Sequence, residues 1–113
     1  MTGRKEKLMD IAVLVEADRK PKTSFYRVKL QSEVFEVNIQ IPLAEVEELK
    51  LVSSSSWDEG SMQIGESAGA PVFWSTEDGV VALLIGEDDE NWDIALSLPV
   101  AVMDTIIQAI AKA

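Results

Sequence analysis

The sequence predicts an α+β fold: an antiparallel sheet of five or six strands, with a C-terminal helix and a shorter middle helix packed on one face. Three observations carry this. Val80–Ile85 is an unbroken apolar run, and across an acidic turn it meets Trp92, Ile94, Leu96 and Leu98, which share one face of a second strand. Residues 34–41 alternate, with Phe35, Val37, Ile39 and Ile41 on one face and Val34, Glu36, Asn38 and Gln40 on the other, the period of a half-buried strand. After Pro99 the period changes. Met103, Ile106, Ile107 and Ile110 form a helical apolar stripe, with Asp104, Gln108 and Lys112 spaced by four along the wet side.

Taken in order, residues 1–7 are polar and expected to fray. In 8–17 the dense branched run Ile11–Val15 favours a strand over a helix, although Leu8, Ile11, Ala12 and Val15 also fit a helical face. The stretch 18–24 is a charged turn containing Pro21. Residues 25–31 alternate again, with Tyr26, Val28 and Leu30 opposite Phe25, Arg27 and Lys29. Pro42 then stands where a helix tolerates proline, at its first position, and Glu45, Glu47 and Glu48 suit the positive helix end. Residues 53–61 are serine-rich and read as a loop or linker, with Trp57 as the odd member, either folded back on the core or an exposed anchor. Residues 62–70 carry glycine punctuation and no firm period, and 71–75 are a short strand. The last helix is expected from Leu98 to Lys112.

At 113 residues the chain 1–113 is one domain. Its halves also echo each other at an offset of 57: Pro42 falls on Pro99, Ala44 on Ala101, Phe35 on Trp92, Glu47 on Asp104, Val28 on Ile85 and Val15 on Val72. The segments 8–52 and 62–113, joined by the linker 53–61, read as a duplicated βββα unit, or as two strand–proline–helix joints that look alike by chance.

Composition narrows function mainly by exclusion. The formal net charge is −10, and it is uneven: residues 1–50 hold nine acids and nine bases, whereas 51–113 hold eleven acids and one base, Lys112. Such a half repels a phosphate backbone, so nucleic acid is not an expected partner. There is no Cys, hence no disulfide or thiolate, and no His, the commonest general base and zinc ligand. No apolar run approaches a membrane span and the N-terminus does not read as a signal peptide, so a cytoplasmic location is expected.

The motifs weigh little. Gly65-Glu66-Ser67-Ala68-Gly69 matches G-x-S-x-G, the nucleophile elbow, but there is no His to act as base and Ser54–Ser61 stand where a buried strand should lead in. Glu87–Asn91 and Asp93 offer oxygens to a cation without calcium-loop spacing, so a polar hairpin tip is the simpler reading. Arg19, Lys20, Lys22, Arg27 and Lys29 cluster on the first hairpin as a charged, solubilising edge. No catalytic, cofactor-binding or metal residues are assigned and no cofactor is expected.

The expectation is a small acidic, non-catalytic protein-interaction module: a regulator, inhibitor or chaperone binding a protein partner of basic character through Trp57, Asp88, Asp89, Glu90 and Trp92, and self-associating as a dimer. Two alternatives stand beside it. One is a small-ligand binder or hydrolase-like enzyme using the 57–70 loop, and the other a structural subunit of a larger assembly.

Overall fold

The computed structural model describes residues 11–19 and 24–113, with the side chains of Arg19 and Trp57 left out. The expected fraying of 1–7, the start of the first strand at Leu8–Asp10, and Pro21 with Lys20 and Lys22 lie outside the described residues. Among the described residues the fold is α+β: one antiparallel sheet of seven strands and two helices. In chain order these are β1 (Ala12–Arg19), β2 (Ser24–Gln31), β3 (Glu36–Pro42), α1 (Val46–Leu49), β4 (Met62–Ser67), β5 (Ala70–Glu77), β6 (Val80–Gly86), β7 (Trp92–Pro99) and α2 (Ala101–Lys112). Each strand pairs with its neighbours in sequence, so the sheet is a pure meander.

Seven strands replace the expected five or six because 62–67 is a strand. Its period was hidden by a bulge. Gln63 pairs with Phe73 and Glu66 with Pro71, and the register slips between them. Gly65 sits in that slip at φ +80°, where a Cβ would stand 2.8 Å from the Gln40 carbonyl oxygen and 3.0 Å from Ile39 Cγ2. Its N–H donates to Glu45 Oε1 at 2.8 Å, so the carboxylate at the start of α1 clamps the bulge. The middle helix does not take Pro42 as its first position. Pro42 ends β3, Leu43–Glu45 form a 3₁₀ turn, and α1 is a single turn. The last helix begins at Ala101 instead of Leu98, because Leu98 pairs with Val81 and Pro99 with Val80 as the end of β7.

Inward residues of every strand meet in one core, exemplified by Val28, Leu30, Ile39, Ile41, Trp74 and Leu83, all fully buried. Trp74 satisfies its indole N–H on the Ile64 carbonyl at 2.9 Å. Leu49 and Val52 close the core from the β3–β4 connection, and the Val52 carbonyl accepts from Thr76 Oγ1 at 2.6 Å. From α2 come Val102, Met103, Ile106 and Ile110. This helix follows β7 yet packs chiefly on β1, so the sheet curls around it and the two edge strands stand in different surroundings.

The offset of 57 lays β1 on β5, β2 on β6, β3 on β7, and the first helical turn after Pro42 on α2. The pair Val15↔Val28 becomes Val72↔Ile85, and Ala17↔Tyr26 becomes Trp74↔Leu83; all four pairs are present. The next ladder differs by two residues. Val28 faces Ile39, whereas Ile85 faces Ile94, and the difference runs the length of the ladder: Pro42 faces Phe25, but Pro99 faces Val80 and not Ala82.

Candidate interaction site

The β6–β7 turn is built by Asp88. Its Oδ1 accepts from the backbone N–H groups of Glu90 and Asn91, both at 2.8 Å, and from Asn91 Nδ2 at 3.1 Å. The Glu90 N–H foremost, then the Asn91 side chain, hold this carboxyl below the ordinary aspartate value of 3.8. Gly86 is required at the bulge, since a Cβ there would strike the Trp92 Cα. Asp89 has a different role: its Oδ2 accepts from Ser61 Oγ at 2.7 Å. That bond joins the turn to the segment carrying Trp57, Asp58 and Glu59, so two stretches that the sequence reading treated separately meet here. Glu87 and Glu90 are exposed, and their carboxylates make none of the side-chain bonds found among the described residues.

Trp92 and Ile94 begin β7 directly beside this acidic turn. Trp92, which the β6–β7 bulge sets opposite Gly86, is 43% exposed, and Ile94, on the core-facing side where alternation expects burial, is 47% exposed. The reason is topological: α2 leaves β7 and settles on β1, so only Leu98 at the far end of the strand is fully covered. Among the described residues β7 hydrogen-bonds to β6 alone, and its outer edge is open. Of the five candidate residues, Asp88, Asp89, Glu90 and Trp92 thus fall at one hairpin end. The backbone of Trp57 lies four residues before Ser61, and whether its side chain is plug or anchor lies outside the described side chains.

The first hairpin is less cationic in effect than its sequence suggests. Arg27 pairs with Asp18 at 2.6 Å and with Glu16 at 3.6 Å while lying over the Phe25 ring, and Lys29 stands 3.8 Å from Glu36. Beside it lies a groove that the sequence reading missed. Phe25, Pro42, Leu43 and Ala44 line an open, mainly apolar concavity of about 630 Å³, with Gln40 and Glu66 on its rim. The one available signal was Leu43, an apolar residue following a strand-ending proline on the side away from the core.

Ser67, the serine of the G-x-S-x-G string, ends β4, and Ala68 (φ +53°) and Gly69 (φ +85°) turn the chain straight into β5. A two-residue hairpin turn occupies the place where an elbow would lead into a helix. Among the described residues no three carboxylates converge in a metal-holding group, and no helix is long and apolar enough to cross a membrane. No family model, curated protein or solved structure matches this chain.

Proposed function

We propose that this chain is a non-catalytic protein-interaction module that binds a partner of basic character through the β6–β7 hairpin end. One observation carries the reading: exposed Trp92 and Ile94 sit at the root of an acidic turn whose backbone is already fixed by Asp88. An aromatic anchor beside fixed negative charge suits a cationic protein surface, since the aromatic contributes desolvated contact area and the carboxylates steer encounter. The absence of His and Cys from the whole chain fits the same reading. The chain is proposed to work in the cytoplasm. The halves are further proposed to be a duplicated βββα unit, supported by the equivalent pairs Val15↔Val28 and Val72↔Ile85.

The structure refines which carboxylates to test. Asp88 holds the turn, so its removal confounds folding with binding, whereas Glu87 and Glu90 are exposed. Affinity capture from native extract, followed by titration of the retained protein, tests the reading. Glu87→Gln with Glu90→Gln is expected to weaken binding about 2- to 10-fold, and Trp92→Ala by roughly 30-fold, the scale of an interface hot spot. Binding should also weaken with salt as the screening length falls below about 8 Å. A stoichiometric partner indifferent to all three substitutions would move the site elsewhere, and the Phe25–Leu43 groove would be the next surface to probe.

A further inference from the structure

We infer that the β6–β7 turn is a lid. It is closed in this structure over an apolar pair on the outward face of the sheet, Phe73 and Leu84, and Ser61 latches it there against the mutual repulsion of its own carboxylates and those of residues 57–59. The lid goes beyond the partner reading above, because it belongs to the chain alone.

Strand register shows that the turn folds back. Met62 faces Trp74, so Ser61 stands at the Ser75 end of β5, whereas Val72 faces Ile85, so the turn leaves β6 beside the other end. From Val72 to Ser75 is about 10 Å along the strand. Asp89 Oδ2 nevertheless meets Ser61 Oγ at 2.7 Å, so the turn runs back across the sheet instead of projecting beyond it. The bulge at the root of the hairpin, where Ile85 faces Ile94 but Gly86 faces Trp92, supplies the bend. Phe73 and Leu84 face each other across β5 and β6 and alternate with the core residues Val72, Trp74, Leu83 and Ile85, so they point away from the core. They are nevertheless only 8% and 6% exposed, and Ser75 on the same side is 3% exposed. The residues of α2 join the core on the opposite face, so the folded-back turn, with the segment it is tied to, is the cover that the register supplies.

The same arrangement brings like charges together. Residues 57–61 and 87–91 carry six acids, Asp58, Glu59, Glu87, Asp88, Asp89 and Glu90, and no base. Among the described residues, the bond from Ser61 to Asp89 is the side-chain hydrogen bond that joins the two segments. Asp88 fixes the backbone of the turn from within, so the turn moves as one body when that bond breaks. Repulsion between the segments fades with salt, as the screening length falls from about 30 Å at 0.01 M to about 8 Å at 0.15 M. Salt therefore closes the lid. On the partner reading above, a basic protein lying across both segments closes it in the same way.

The chain has no cysteine, so one introduced thiol reports the state of the lid. Alkylation of Leu84→Cys by iodoacetamide, an uncharged reagent, reads exposure of the outward face. Val81→Cys, at a fully buried core position of the same strand, reads global unfolding. Ser61→Ala should speed alkylation at position 84 about 5- to 50-fold and leave position 81 unchanged. Raising salt from about 0.01 M to about 0.15 M should slow alkylation at position 84 about 2- to 5-fold. Glu87→Gln with Glu90→Gln, which removes two of the repelling charges, should slow it by a similar factor. Circular dichroism verifies the fold of each variant, and Phe73→Cys, on the facing position, carries the reporter if Leu84→Cys does not fold. An unchanged rate at position 84 on Ser61→Ala overturns the proposal. So does equal acceleration at positions 81 and 84, or a rate that does not fall with salt. These measurements use the chain alone, so their failure leaves the partner reading to its own capture experiment.

Discussion

Replacing Gly65 by alanine tests the bulge that hid β4, and Gly69→Ala provides its internal control. Both glycines have positive φ, +80° and +85°, so either alanine incurs the left-handed penalty of about 1–2 kcal/mol. They differ in space. Around Gly69 nothing lies within 4 Å of a new Cβ. Around Gly65 the Cβ meets backbone, the Gln40 carbonyl oxygen at 2.8 Å, and two side chains of β3, Ile39 at 3.0 Å and Ile41 at 3.2 Å. Backbone paired in a ladder and fully buried isoleucines have little room to yield, so overpacking adds about 1–3 kcal/mol. Gly69→Ala should therefore cost about 1–2 kcal/mol and Gly65→Ala about 2–5 kcal/mol, with an unchanged urea m-value for Gly69→Ala. In thermal melts the gap between the two should be at least about 4 °C. Equal costs, or a larger cost at Gly69, would refute the claim that β3 and β4 approach too closely for any side chain at position 65.

Other outcomes follow from single contacts. Trp74→Phe should destabilise by about 1–3 kcal/mol, since it leaves the buried Ile64 carbonyl without its donor, and chemical denaturation reads this directly. Ile106→Ala, at a fully buried position of α2, should cost about 2–5 kcal/mol by the same assay. Asp88 titrates below 3.8 in the folded chain, so the stability it lends is present above that value and is lost as pH falls through the lower folded-state value. Carboxyl NMR shifts should place the Asp88 midpoint below 3.8, and Asp88→Ala should flatten the acid limb of the stability profile. Glu45→Ala should weaken protection of the Gly65 amide in hydrogen exchange, whereas Gln at the same position keeps an acceptor there.

How much of this was legible in the chain depended on whether local period and tertiary neighbour agreed. Val37, Ile39 and Ile41 alternate and are buried, because β3 has sheet on both sides. The stripe of Met103, Ile106 and Ile110 was readable because α2 has one covered face. β4 was not legible, since the bulge at Gly65 breaks the two-residue period and the clamp from Glu45 comes from twenty residues away. Trp92 and Ile94 show the opposite failure. Both stand in a run that alternates in sequence, yet they are exposed: the bulge sets Trp92 opposite Gly86, and α2 leaves Ile94 uncovered to pack on β1, neither of which a local pattern records. The acidic turn was legible as a turn, but the division of labour between Asp88, which holds the backbone, and Asp89, which ties the turn to Ser61, depends on geometry.

The packing of α2 on β1 also governs the order in which the chain can finish folding. Every hairpin of the meander joins neighbours in sequence and is able to form as it leaves the ribosome. The first strand is the exception in what it must wait for: its cover, α2, is synthesised after all seven strands. Until α2 emerges, Val13 and Val15 face water beside a growing sheet, and a nascent chain stalled before Ala101 presents that apolar flank to chaperones or to other nascent chains.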